Sequence, residues 1–235
     1  MLRTQPFEAA IFDLDGVIVD TAKYHYQAWR RLAGELGFGF SESANEQLKG
    51  VSRMDSLELL LRSGGVTGLT PEQKEELASR KNEWYKELLE TLTPGDVLPG
   101  VSSFLSHLRS KGIRTAIASA SRNAPLILEK VKIRAMFDAV VDGNSIAKAK
   151  PDPEVFLQAA RLLGAAPENC YVFEDAEAGV EGAIRAGMRV AGIGDGQLLA
   201  RAHLTVTSFE QLEPVFLLGQ IGAAGRREEG SGRDE

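Results

Sequence analysis

Ile11-Phe12-Asp13-Leu14-Asp15-Gly16-Val17 is an apolar run that breaks into two carboxylates one residue apart, and its reading decides the fold. A short apolar stretch of this kind reads as a buried strand. Period-2 geometry puts Asp13 and Asp15 on one side of its backbone. Carboxylates are costly inside a sheet and useful at its carboxyl end beside a metal. Gly16 lets the chain turn away sharply behind them.

Downstream the pattern changes. Ala22 to Leu36 has helical spacing, with Tyr26, Trp29, Leu32 and Leu36 on one face and Gly37 and Gly39 as stops. Helices are also expected over Ser41 to Lys49, over Ser52 to Leu61, and from Thr70-Pro71-Glu72-Gln73, a strong start signal, to about Leu92. From Pro99 onward, helical patterns alternate with apolar runs at Arg114 to Ser119, Ala139 to Asp142, Tyr171 to Glu174 and Arg189 to Ile193. That alternation signals a parallel sheet. The expected architecture is an α/β, doubly wound parallel-sheet core domain (1–20 and 93–218) with an inserted helical cap domain (21–92). A glycine-rich, charged tail (219–235) is expected to fray.

The 235 residues are ample for a real core, and Cys170, the only cysteine, excludes an intramolecular disulfide. A formal net charge of -6 argues against nucleic acid or an anionic membrane as the main partner. No apolar stretch approaches the length of a membrane helix, and Met1 to Glu8 lacks the pattern of a secretory signal. These features together fit a cytoplasmic protein acting on a small soluble substrate.

Polar residues gather where the strands end, which is where doubly wound sheets bind ligands. Asp13-Leu14-Asp15 does not fit a calcium loop of the EF-hand type, which wants a ligand at Val17 and glycine at Ile18. Ser119-Ala120-Ser121 precedes a helix starting near Asn123 and suits either a phosphate or an ordinary helix cap. Lys150, held before Pro151, can neutralise phosphate charge, whereas Lys148 nearby has no fixed neighbour in the sequence. Glu174-Asp175 crowds two anions at a strand end and calls for a cation, although Asp175 could also be an N-cap. Asp13, Asp15, Glu174 and Asp175 thus make an all-oxygen site that favours magnesium. Gly192-Ile193-Gly194-Asp195-Gly196 has the wrong spacing for a dinucleotide fingerprint.

This order of motifs, with helices inserted after the first, resembles the haloacid dehalogenase superfamily of aspartate-nucleophile phosphotransferases. Asp13 to Ala22, Tyr24-His25, Ala28-Trp29, Leu48 to Arg53 and Ala118 to Asn123 are similar to its β-phosphoglucomutase branch. The resemblance implies Asp13 as the phosphorylated nucleophile, Asp15 as general acid and base, and Ser119 and Lys150 as contacts to the transferring phosphoryl group. It also implies that the Asp15 main-chain carbonyl joins the magnesium ligands.

In that branch, β-glucose 1-phosphate and glucose 6-phosphate interconvert through β-glucose 1,6-bisphosphate, which also acts as primer. His25 and Lys49 would couple sugar binding to cap closure, and Arg53 would grip the phosphate that is not transferred. Trp29, Ser52, Ser56, Lys81 and Asn123 would line the pocket, with Thr21, Gly50, Val51, Ala120 and Ser121 contributing to substrate binding. Arg122, where the family often has lysine, and Ala176, where serine is frequent, depart from the pattern. A monomer is expected. Two other readings stay open: a sugar-phosphate or phosphoglycolate-type phosphatase with the same nucleophile, and a noncatalytic phosphosugar-binding regulator.

Overall fold

The computed structural model describes residues 7–212; the tail at 219–235 lies outside them. Between β1 (Ala9–Phe12) and β2 (Arg114–Ala118) come α1 (Ala22–Glu35), α2 (Glu42–Glu46), α3 (Arg53–Ser63), α4 (Pro71–Leu89) and α5 (Val101–Ser110). Then follow α6 (Ala124–Lys130), β3 (Ala139–Val141), α7 (Glu154–Leu163), β4 (Cys170–Glu174), α8 (Glu177–Arg185), β5 (Arg189–Ile193) and β6 (Leu204–Val206). The six strands pair in parallel in the order β3-β2-β1-β4-β5-β6. The chain therefore winds outward from β1 in both directions, which is the doubly wound arrangement, and the switch point lies beside β1.

Strand alternation sorts two cores. Ala10, Phe12, Tyr171 and Phe173 point toward Phe104 of α5, Ile127 and Leu128 of α6, and Phe209. The Phe12 and Phe173 rings stack with centroids 4.7 Å apart. Ala9, Ile11, Cys170 and Val172 point the other way, toward Val155 and Phe156 of α7 and Val180 and Ala183 of α8. Each such fully buried Phe, Val or Ile contributes about 1.5–3 kcal/mol. The same parity aims Asp13 and Glu174, next in their series, at the α7 and α8 side. A third core, with Trp29, Leu32, Leu57, Leu60 and Leu77, joins α1, α3 and α4.

Three expectations are corrected. The strand stops at Phe12: the Asp13 N–H still donates to the Phe173 carbonyl (3.0 Å), but the Leu14 carbonyl then accepts from Ile18 (2.9 Å) and the chain curls. Asp15 falls in that curl, so period-2 geometry does not reach it. The helix expected over Ser41 to Lys49 is only five residues long, because the chain turns through Gly50 at φ 74° and packs it against Ala176. The edge strand β6 is not expected from the sequence, since Leu204-Thr205-Val206 is short and half-buried and shows no apolar pattern.

Candidate active site

Lys150 arrives from the loop before α7 and is 2% exposed. Its ammonium donates to carboxylates of both Asp13 and Glu174, and Nζ lies 5.1 Å from the Phe156 ring centroid. Burial alone would lower its pKa, but Asp13 and Glu174 outweigh burial and hold it above the usual lysine range. The first turn of α8 begins after Ala176, not after Asp175. The Asp175 carboxylate is therefore not an N-cap and stays available to a cation.

Asp13, Glu174 and Asp175 each offer an oxygen, and these oxygens lie within 4.8 Å of one another. Burial, reinforced by Asp13, raises the Asp175 pKa; burial also raises that of Glu174 against the pull of Lys150. Three crowded carboxylates facing one ammonium are a donor set that fits a hard divalent ion such as magnesium. The Asp15 side chain is not part of this group. Close packing fixes the arrangement: a Cβ at Gly16, where φ is 89°, would sit 2.2 Å from Asp175 Oδ2.

Asp15 points instead toward the helical insert. Thr21 occupies the N-cap position of α1 but makes no capping bond; its hydroxyl donates to Asp15. Tyr85 of α4 donates to the same oxygen at 3.4 Å, and His25 Nε2 lies 3.9 Å away. Burial first, then Asp13, pushes the Asp15 carboxyl up to about 6, with Thr21, Tyr85 and Lys150 opposing. Behind it, His25 Nδ1 and Lys81 Nζ are 3.0 Å apart. Burial and the Lys81 charge hold the imidazole well below its ordinary value, and burial does the same to Lys81.

A cavity of about 350 Å³ opens between the helical insert and the strand ends. Asp13, Asp15 and Ser119 form its floor, and His25, Trp29, Lys49, Gly50, Val51, Ser52, Arg53, Ser56 and Lys81 form its roof and walls. Ala120, Ser121 and Asn123 complete it on the β2 side. Trp29 is both core and lining, since its ring carries Lys81 Nζ at 4.3 Å. Ser52 caps α3 through the Asp55 N–H at 3.1 Å while facing the cavity. The Ser119 hydroxyl accepts from Ser121 N–H (3.0 Å), so the loop is tightened around a side chain of the cavity floor.

Thr21 does not join this lining; it is wholly buried behind Asp15 because its hydroxyl serves that carboxylate. Lys150, Glu174 and Asp175 likewise lie beneath or beside the cavity rather than on its wall. Lys148 has a neighbour after all, Asp152 at 3.5 Å. Missed from sequence were Tyr85, Asn82 and Asn45. Asn82 accepts a 3.0 Å bond from the Asn123 amide and so ties α4 to the core. Polar Lys81 and Asn82 interrupt the apolar stripe of Leu77, Ala78 and Tyr85 on α4, and that interruption was the signal that could have revealed it.

The family model for haloacid dehalogenase-like hydrolases matches residues 7–187. The chain belongs to this family. Among haloacid dehalogenase-like relatives, the β-phosphoglucomutase of Bacillus subtilis (strain 168) is 46% identical over 206 residues, spanning 87% of this chain and 91% of that protein. A phosphorylated carbohydrates phosphatase of Thermotoga maritima is 33% identical over 202 residues, 83% of this chain and 91% of that one. The crystal structure of a β-phosphoglucomutase from Clostridium difficile is 40% identical and superposes with a TM-score of 0.90, covering 94% of this chain and 100% of that one. Helical insert and sheet alike are thus shared with other haloacid dehalogenase-like proteins.

Proposed function

We propose that this protein is a β-phosphoglucomutase, interconverting β-D-glucose 1-phosphate and glucose 6-phosphate through phosphorylated Asp13 and β-glucose 1,6-bisphosphate, which also primes it. One observation carries the reading: Asp15, beside the nucleophile, is held by Tyr85 and neighboured by His25, both from helices that roof a sugar-sized cavity. An acid–base group gripped by the roof is positioned when the roof is closed over a substrate, which favours a sugar hydroxyl over water.

Attack by one anion on another must be offset. At about 4 Å and an effective dielectric near 20, each pair of like charges costs roughly 4 kcal/mol. Lys150 supplies one positive charge at Asp13, and Ser119 supplies a hydroxyl at the transferring group. A magnesium ion bound by Asp13, Glu174, Asp175 and the Asp15 carbonyl would supply further charge neutralisation. Asp15, with its pKa near 6, takes the proton from the attacking sugar hydroxyl and returns one to the leaving oxygen. Arg53 and Arg122, both on the cavity wall, hold the phosphate that is not transferred. The enzyme acts as a cytoplasmic monomer.

The test supplies magnesium, β-glucose 1-phosphate and a trace of the bisphosphate, and measures both products. Glucose 6-phosphate with little free phosphate is expected. Rapid phosphate release without glucose 6-phosphate would replace the mutase by the phosphatase reading, and no turnover at all would favour the regulator.

A further inference from the structure

The metal cluster borders two cavities of opposite character. The sugar cavity carries Lys49, Arg53, Lys81 and Arg122 against Asp13, Asp15 and Glu75, a balance that attracts phosphate and repels a free cation. A second cavity, of about 340 Å³, lies at the carboxyl ends of β5 and β6. Asp20, Glu46, Asp175 and Asp195 line it against Lys49, with Lys23 at 3.3 Å pairing Asp20 from outside the lining. Asp175 is the one residue of the buried oxygen cluster that lines the second cavity, and it does not line the first.

The wall also uses the Ile193-Gly194-Asp195 turn, the glycine-rich segment that matches no dinucleotide fingerprint. There the Asp195 carboxylate accepts from the Gln197 N–H (2.8 Å), which holds the turn at the rim. Leu198, 57% exposed, stands beside it. Lys49 lies at the boundary between the cavities, 2.9 Å from Glu46 and 3.6 Å from Asp175.

We propose that this second cavity is the passage through which the divalent ion reaches and leaves the Asp13, Glu174 and Asp175 cluster, separate from the path of the sugar phosphate. The inference rests on the metal-site reading given above. Its physical basis is the segregation of charge: a hydrated cation is concentrated by the acidic cavity and excluded by the basic one. The ion meets Asp175 first, and Lys49, already paired to that carboxylate, yields its place as the ion binds. Metal can then exchange while the sugar cavity is filled.

The test uses Mn²⁺ as the probe on the full chain. Its dissociation constant comes from the resonance signal of the free ion, and its release rate from mixing the loaded protein with a chromogenic chelator. Leu198→Trp narrows the passage from an exposed position; it should slow release and association alike, by roughly tenfold, and leave the dissociation constant unchanged. Asp195→Asn keeps the acceptor for Gln197 and should slow association about twofold at low ionic strength, an effect that salt removes. Normal Mn²⁺ binding with release rates indifferent to Leu198→Trp overturns the passage and leaves the metal site standing. Failure of the unaltered protein to bind Mn²⁺ overturns both.

Discussion

Replacing Lys81 by Met should make the protein more stable and a poorer catalyst. Lys81 is 2% exposed and has no carboxylate partner within salt-bridge distance among the described residues. It meets His25 Nδ1 at 3.0 Å and the rings of Trp29 and Tyr85 at 4.3 and 4.9 Å. Exchanging a buried charge for an apolar side chain of similar shape is worth about 1–4 kcal/mol. Against this stand the lost ring contacts, about 1 kcal/mol, and the bond to His25, about 1 kcal/mol. From the middle of that range, about 2.5 kcal/mol, the net gain is about 0.5 kcal/mol and at most about 2 kcal/mol, which in a chain of this size raises Tm by roughly 1–8 °C.

The sign with pH follows from linkage. Burial lowers the Lys81 pKa well below 10.5, so between its folded and unfolded values the unfolded chain binds more protons and wild-type stability rises with pH. The advantage of Lys81→Met is therefore greatest at neutral pH and shrinks as pH rises toward 10.5. Removing the cation from the sugar cavity costs a charge-assisted contact of about 1.5–3 kcal/mol and should raise KM for the sugar phosphate roughly ten- to hundredfold. Calorimetry from pH 7 to 10, with kinetics at pH 7.5, reads both effects. A variant less stable than wild type, or a stability gap indifferent to pH, would refute the reasoning.

Asp13→Asn should cut turnover by on the order of 10⁴-fold or more, and Asp15→Asn by roughly 10²–10⁴, with labelling by phosphoryl donor lost in the first alone. Thr21→Val removes a bond that holds the Asp15 pKa down. Because protonated Asp15 cannot accept the sugar proton, the acid limb of kcat/KM should move above its wild-type position near pH 6. Gly16→Ala places a methyl against Asp175 in a backbone region that favours glycine; divalent-ion affinity measured by calorimetry should fall at least tenfold, a loss of about 1.4 kcal/mol. Chelation should abolish turnover in wild type, and added magnesium should restore it.

Five of the six strands were legible because their signals are local. Apolar runs ending in polar clusters, with positive-φ stops at Gly112, Gly164 and Gly187, mark strand ends and helix ends without knowledge of neighbours. The full capping box at Thr70 and Gln73 was equally readable. The direction of the Asp15 side chain was not, because it depends on a curl after β1 and on Thr21 and Tyr85, the latter 70 residues away. Thr21 reads as an N-cap by type and position, yet its hydroxyl is spent on a carboxylate. The second cavity is assembled from turns near residues 16, 46, 175, 195 and 208, and no spacing within any one of them announces it.

Asp13 and Asp15 differ by environment rather than by chemistry. One carboxylate, the proposed nucleophile, is paired with Lys150. The other lies among Thr21, Tyr85 and His25, and burial raises its pKa toward the range where a proton can both leave and return. The strand supplies the first environment, and the helical insert supplies much of the second. A fold that kept the sheet and lost the insert would retain Asp13 and its Lys150 partner while leaving Asp15 hydrated and at a lower pKa, on the proposed mechanism a poorer proton donor to the leaving oxygen. On that proposed mechanism, the insert therefore contributes to the chemistry itself as well as to the selection of substrate.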